Sequence, residues 1–167
     1  MARRKARQEC LSKQGFFLYN CGMGVRRTEH AVYDLKYHLV WIPKYRKHIL
    51  GGEVTDYLKE VFQQIAEEYE FAIDTMEVVE DHVHIFVEVP PRYSPAQVVQ
   101  ILKSVSAREV FKKFPKLRKQ LWAGDFWSDG YFVRSVGDKV TADIIRKYIE
   151  YQTHEENSLQ LHMLEKS

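Results

Sequence analysis

Two histidines separated by a single residue, His82 and His84, are the side chains in this sequence best suited to chemistry. They lie in the run 81–89, whose residue types are typical of a β-strand. Alternate residues of a strand point to the same face of a sheet, so the two imidazoles are expected side by side. In that arrangement they are positioned to chelate one divalent metal ion.

The His-x-His pattern alone is a weak motif. Seven histidines in 167 residues produce about 0.3 such pairs by chance. The alternative is a pair of half-exposed strand histidines with no ligand. The aliphatic residues of the strand, Val83 and Ile85 among them, point to the opposite face and predict a core there. Glu88 shares the histidine face at about 7 Å from His84, and we interpret it as structural.

A second candidate pair lies near the end of the chain. Tyr148 and Gln152 are four residues apart in a predicted helix over 141–152, which places a phenol and a carboxamide on one helix face. The alternative is a partly buried tyrosine that packs on Ile144 or Ile145.

Hydrophobic periodicity, prolines and a helix cap predict the elements that hold these residues. They are a strand over 31–42, an amphipathic helix over 54–69, strands over 72–79 and 82–89, a helix from Pro95 to about Phe114, a strand over 130–136 and the helix over 141–152. This order predicts an α+β, ferredoxin-like (RRM-like) βαββαβ fold. Two helices cover one face of a four-stranded antiparallel sheet, a C-terminal helix follows, and the histidine face stays open.

Residues 1–29 lack periodicity and contain seven Lys/Arg against two Glu. We expect a basic, flexible N-terminal extension, followed by one domain over 30–167. Cys10 and Cys21 both fall in the extension, so cysteines form neither a disulfide framework nor a zinc site in the domain. The sequence has no apolar run long enough for a membrane helix and no secretory signal, which predicts a cytoplasmic protein.

The small net charge of +2 conceals charged segments of opposite sign. Residues 53–77 contain eight Asp/Glu against one Lys, and residues 103–119 contain seven Lys/Arg against one Glu. A molecule with an acidic side and a basic side can hold a polyanion in a defined place. The alternative is that each run is a solvated helix face.

Residues 31–152 resemble the single-tyrosine transposases of the HUH nuclease superfamily, the TnpA-like enzymes of small insertion sequences. The resembling segments, in the family's order, are YHLVW (37–41), KYR (44–46), DHVH (81–84), FWSDGY (126–131) and YIEYQ (148–152). The extension before Met23 has no counterpart in the family pattern.

This resemblance implies that His82, His84 and Gln152 are metal ligands and that Tyr148 is the nucleophile. It also implies a homodimer in which the tyrosine helix commonly completes the partner's active site. Imidazoles alone suit zinc, nickel or manganese, whereas a site shared with phosphate oxygens suits Mg²⁺ or Mn²⁺. The resemblance points to Mg²⁺, with Mn²⁺ as the alternative.

The expected substrate is single-stranded DNA, with hairpins at the ends of the element. We expect basic side chains of the first turn and of the second helix to contact its phosphates. These are Lys44, Arg46, Lys47, Lys103, Arg108, Lys112 and Lys113. Aromatic residues that are candidates for stacking on unpaired bases are Tyr45, Phe126, Trp127 and Tyr131.

The sequence therefore predicts a metal-dependent transposase that cleaves and rejoins single-stranded DNA at insertion-sequence ends through a 5′-phosphotyrosine. Two alternatives stay open. One is a domesticated relative that processes palindromic repeats. The other is a non-catalytic RNA- or DNA-binding module on the same scaffold, which two histidines on the sheet face disfavour.

Overall fold

A computed structural model describes residues 26–27, 30–121, 124–137 and 139–150. The seven predicted elements occur in the predicted order, with the first strand divided and short elements added. The elements are β1 (Arg26–Arg27), β2 (Val32–Tyr33), β3 (Lys36–Trp41), a 3₁₀ turn (Lys44–Arg46), α1 (Glu53–Tyr69), β4 (Ala72–Val79), β5 (His82–Glu88), α2 (Pro95–Lys113), α3 (Pro115–Gln120), β6 (Phe132–Val136) and α4 (Lys139–Glu150).

The main sheet has four strands in the order β4-β5-β3-β6, and every neighbouring pair is antiparallel. This order confirms the predicted ferredoxin-like arrangement, because the first and third long strands lie in the centre. In the register of β3 and β5, Val40 pairs with His84 and His38 pairs with Phe86. A register shift between Ile73 and Thr75 marks an irregularity in β4.

One face of the sheet packs on α1 and α2 to form the main core. Val83, Ile85 and Val87 of β5 are buried there with Leu58 and Phe62 of α1. The apolar face predicted from strand alternation in β5 therefore packs on the apolar face predicted from helical spacing in α1. Burying each such side chain contributes roughly 1.5–3 kcal/mol.

Helix α2 begins as its sequence predicts. The Ser94 hydroxyl accepts a hydrogen bond from the backbone N–H of Gln97, and the Gln97 side chain accepts one from the Ser94 backbone N–H. Pro95 occupies the first turn, where its missing N–H has no cost. Pro115 ends α2 but also begins the short helix α3, which the sequence analysis did not predict.

Helix α4 lies on the other face of the sheet, against β4 and β5. Ala142, Ile145 and Ile149 of α4 are buried with Phe86 and Val136. Our expectation of an open histidine face was therefore wrong, because Phe86 shares that face and provides an apolar site for the helix.

The predicted strand over 31–42 is divided into β2 and β3, and β2 pairs with β1 in a small separate sheet. Arg26 pairs with Tyr33 there, so regular structure begins before residue 30. The rest of the predicted extension, residues 1–25 and 28–29, lies outside the described residues. None of the helices in the described part of the chain is long and apolar enough to cross a membrane.

Candidate metal centre and nucleic-acid interface

Strand β5 brings the two candidate metal ligands together. The ring centroids of His82 and His84 are 4.8 Å apart, and the rings lie nearly perpendicular to each other. The His84 side chain is fully buried and that of His82 is 12% exposed. The His84 ring is therefore closed off from solvent, whereas His82 remains partly accessible.

Asp81 orients the first of these imidazoles. Its Oδ1 lies 2.6 Å from Nδ1 of His82, and its Oδ2 accepts a hydrogen bond of 2.9 Å from Nε of Arg46. The hydrogen bond from His82 holds the pKa of the Asp81 carboxyl well below its usual range, and Arg46 adds to this effect. A charged carboxylate at Nδ1 favours a proton on that nitrogen, which leaves Nε2 as the donor for a metal.

A third histidine, His38 on β3, contacts the second imidazole. Nε2 of His38 lies 3.0 Å from Nδ1 of His84, and the two rings are nearly parallel with centroids 5.3 Å apart. Burial, with a smaller effect of the Arg134 charge, lowers the pKa of His38 to about 4. Burial also lowers the pKa of His84 well below its usual value. Both rings are therefore neutral at pH 7, the state in which an imidazole binds a metal.

The histidine pair fits a divalent ion. Nε2 of His82 is buried and has no hydrogen-bond partner within the described part of the chain, as expected of a nitrogen whose partner is a ligand. Among these same residues, no group of three or more His, Cys, Asp or Glu is arranged to hold a metal. A third ligand of another type, such as the predicted Gln152, is consistent with this finding.

The two residues predicted on the last helix are only partly within the described structure. Helix α4 includes position 148, immediately before the buried Ile149. The Tyr148 side chain and all of Gln152 lie outside the described residues. The nucleophile and the third metal ligand therefore stay predictions. The helix itself packs on the sheet face that bears the histidines, through Phe86.

The basic residues of the first turn are engaged with other parts of the chain. Nζ of Lys44 lies 3.2 Å from Asp129 Oδ2, and Lys47 Nζ donates to the backbone oxygen of Gln120. Arg46 bonds to Asp81, as described above. Tyr45 and Arg46 have φ angles of +60° and +47°, a conformation that costs non-glycine residues about 1–2 kcal/mol each. Contacts on both sides of the turn stabilise it against this cost.

The four basic residues of α2 divide into two types. Lys103 is half-buried, and its ammonium donates to the backbone oxygens of residues 128, 129 and 130. Burial lowers the pKa of Lys103 to about 8. Arg108 and Lys112 lie near Glu109 with largely exposed side chains, and Lys113 Nζ lies 3.8 Å from the ring centroid of Tyr57. Arg108 and Lys112 are thus the most accessible of the predicted phosphate contacts.

The candidate stacking residues also divide by burial. Phe126 and Trp127 are buried in the main core, where the Trp127 indole N–H donates to the Ser106 hydroxyl. Tyr131 is partly buried against the same core. Tyr45 is 62% exposed, and it precedes the arginine that bonds to Asp81. It is the aromatic side chain of this group with a face available to a base.

Two residues of the centre, Asp81 and His38, were not among the predicted site residues. Asp81 was noted only as part of a motif, although an acidic residue directly before a ligand histidine is a usable signal. His38 falls within the predicted strand over 31–42, and it is buried against His84. Its role depends on the register of β3 and β5, which no local pattern specifies.

Known proteins resemble this chain over most of its length. Residues 31–152 match the family model described as "Transposase IS200 like". The chain is 41% identical over 132 residues to the ISDra2 transposase TnpA of Deinococcus radiodurans, which covers 79% of this chain and 94% of that protein. It is 32% identical over 127 residues to the transposase for insertion sequence element IS200 of Salmonella typhimurium. That match covers 76% of this chain and 82% of the other protein.

Two solved structures share the fold. A candidate transposase from Deinococcus radiodurans R1 superposes with a TM-score of 0.62 at 35% identity, and covers 75% of this chain and 95% of its own. A REP-associated tyrosine transposase bound to a REP hairpin has a TM-score of 0.53 at 12% identity. That match covers 74% of this chain and 69% of the other. At that identity, the second likeness concerns the fold alone.

Proposed function

Because the chain belongs to the family of IS200-like transposases, we propose that it is a metal-dependent transposase of single-stranded DNA. It cleaves and rejoins DNA at insertion-sequence ends through a 5′-phosphotyrosine on Tyr148. The observation that most strongly supports the metal-dependent chemistry is the pair of adjacent imidazoles of His82, which is partly exposed, and His84, which is fully buried.

In this proposal, His82, His84 and Gln152 hold Mg²⁺, with Mn²⁺ as the alternative. When bound, the ion neutralises charge on the phosphate oxygens and stabilises the leaving 3′-oxygen. The protein ligands contribute no negative charge, since the imidazoles are neutral and glutamine is an amide. This ligand set would therefore leave the charge of a bound ion unneutralised.

Tyr148 supplies the nucleophile. Its phenol oxygen, on losing its proton, attacks the scissile phosphorus, the P–O3′ bond breaks, and the 3′-oxygen leaves as a hydroxyl. The new tyrosine–phosphate bond preserves the phosphodiester energy. A 3′-hydroxyl can then attack the same phosphorus, release the tyrosine and join two strands without ATP. The docking of α4 on the histidine face through Phe86 supports this assignment.

We include in the proposal a hairpin substrate and a homodimer with a shared active site. Exposed Arg108 and Lys112 on α2 supply phosphate contacts. Strand β6 pairs only with β3 among the described residues, so one of its edges is available to a second copy. Val133 in the same strand is exposed.

The central experiment measures a covalent protein–DNA adduct. Fluorescent oligonucleotides that tile both strands of the DNA flanking the gene are incubated with the protein and Mg²⁺, then separated on a denaturing gel. The wild type should form an adduct that EDTA prevents. Tyr148→Phe should abolish it and leave DNA binding nearly intact, whereas Tyr151→Phe serves as the matched control.

Each outcome has a defined meaning. An adduct with Tyr148→Phe but not with Tyr151→Phe would move the nucleophile to Tyr151. If no oligonucleotide gives an adduct with any divalent ion, the non-catalytic binding module is favoured. The flanking DNA also separates a mobile element, which has recognisable ends on both sides of the gene, from a domesticated relative.

A further inference from the structure

Each of the two candidate ligand histidines has a side-chain partner at its Nδ1 atom. Asp81 Oδ1 lies 2.6 Å from Nδ1 of His82, and His38 Nε2 lies 3.0 Å from Nδ1 of His84. Both contacts engage Nδ1, so Nε2 is the nitrogen that would bind a shared ion. Asp81, in the turn before β5, and His38, on the neighbouring strand β3, therefore each engage Nδ1 of one imidazole.

We infer that Asp81 and His38 are positioning residues, which fix the ring orientation and the Nδ1–H tautomer of His82 and His84. This inference rests on the metal site of the proposed function. A neutral imidazole places its proton on either nitrogen, and only the Nδ1–H form has a lone pair on Nε2. Asp81 selects that form because a carboxylate accepts a hydrogen bond and cannot donate one.

The contact between His38 and His84 requires one particular placement of their ring protons. For His84 to bind through Nε2, its Nδ1–H must donate to Nε2 of His38, and His38 must then carry its own proton on Nδ1. The two rings are nearly parallel, at an interplanar angle of 18° with centroids 5.3 Å apart, and they meet edge to edge through these nitrogens. This hydrogen bond restricts rotation of His84. The Phe132 ring lies edge-on to the His38 ring, with centroids 6.1 Å apart, and restricts that ring in turn.

Arg46 extends the arrangement by one residue. Its Nε donates to Asp81 Oδ2 at 2.9 Å, so the Asp81 carboxylate is held between a guanidinium and an imidazole. The left-handed φ of Arg46 shows that the backbone adopts an unfavourable conformation where this contact is made. In this inference Arg46 acts through Asp81, which differs from the phosphate contact predicted from its charge.

The first measurement is of Mn²⁺ affinity, from the electron paramagnetic resonance signal of free Mn²⁺ during titration of the full chain. Asp81→Ala and His38→Leu should each weaken binding by about 10–100-fold. Asp81→Asn and His38→Gln should show smaller losses, because each retains a hydrogen-bond acceptor. Glu80→Gln and His48→Gln are matched controls, since this exposed pair lies outside the centre, and they should bind like the wild type.

The second measurement needs no metal. Long-range ¹⁵N–¹H correlation spectra of the histidines should show wild-type His82 and His84 protonated on Nδ1. Asp81→Ala should remove this preference at His82 alone, and His38→Leu at His84 alone. A variant that merely loosens the fold would remove the Nδ1–H preference at both His82 and His84 and would also lower the melting temperature.

The outcomes separate this inference from the proposed function. If His82→Ala binds Mn²⁺ like the wild type, or if the wild type does not bind it, the metal site of the proposed function is wrong, and the tautomer spectra alone decide the inference. If Asp81→Ala and His38→Leu keep the wild-type tautomers, the positioning roles are wrong, whatever the adduct assay shows.

Arg46 receives its own test. Arg46→Ala should weaken Mn²⁺ binding several-fold and leave the salt dependence of DNA binding unchanged, with Lys47→Ala as the control for metal binding. A phosphate contact would give the opposite pattern, namely unchanged Mn²⁺ affinity and a salt slope reduced by about one. That result would overturn the assignment of Arg46 to the metal centre.

Discussion

Helix α4 is held on the sheet by a small apolar cluster, and shortening one side chain of that cluster should release the helix. Ile149 is 1% exposed and packs with Phe86, Ile145 and Ala142. Ile149→Ala removes three carbon atoms, at about 0.8 kcal/mol each, and leaves a cavity that increases the loss. The higher helix propensity of alanine returns about 0.4 kcal/mol. The net loss of docking free energy is therefore about 2–4 kcal/mol.

Among the described residues, α4 is docked by this cluster and by the ion pair of Arg146 with Asp74, so the opening should be local and the effect should appear in amide hydrogen exchange. A loss of about 2 kcal/mol corresponds to roughly 30-fold faster exchange, since 1.4 kcal/mol is a factor of ten. The assay is exchange of peptides from residues 139–150, read by mass spectrometry. Peptides from α1 should be much less affected.

The same helix provides a matched control. Ile144 is 62% exposed, so Ile144→Ala makes the same chemical change without a loss of packing. Its exchange should stay within about threefold of the wild type, because only helix propensity changes. Equal exchange rates in the two variants would refute the docking of α4 through this cluster. If Tyr148 is the nucleophile, Ile149→Ala should also slow adduct formation.

Three further predictions concern the helices and the buried charges. Lys103→Met should lower the free energy of unfolding by about 1–3 kcal/mol, because three backbone oxygens lose their donor. Lys112→Met should leave the free energy of unfolding unchanged and reduce the salt slope of DNA binding by about one. Denaturant titrations measure the stability of both variants, and binding isotherms at several salt concentrations measure their salt slopes. A destabilised Lys112→Met together with a stable Lys103→Met of reduced salt slope would contradict this prediction. Burial raises the pKa of Glu88, so the folded state retains its proton at a higher pH than the unfolded state. The stabilisation from this group is complete below the unfolded pKa and is lost as pH rises through the folded pKa. Melting curves should show Glu88→Gln less sensitive than the wild type to pH above 4.5, and parallel pH profiles would disprove this. Ser94→Ala should cost about 1 kcal/mol through loss of the α2 cap, whereas Ser104→Ala on the exposed side of the same helix should cost little; equal melting temperatures of the two variants would reject the cap.

Local patterns in the sequence were sufficient for most of the fold. Strand alternation placed His82 and His84 on one face, and helical spacing identified the buried side of α1, because both depend only on neighbouring residues. Ser94 and Pro95 specified the start of α2 for the same reason. The family motifs indicated the transposase family, which the comparisons confirmed.

Only the tertiary structure decided what surrounds the histidines. His38 meets His84 across 46 positions of sequence, and Phe86 binds α4 on a face that looked open from the strand pattern alone. Such contacts follow from strand register and helix docking, and burial then sets the protonation state of each group. Lys103 shows the same limit, since its charge indicated a phosphate contact, whereas its position in the fold directs its ammonium to backbone oxygens.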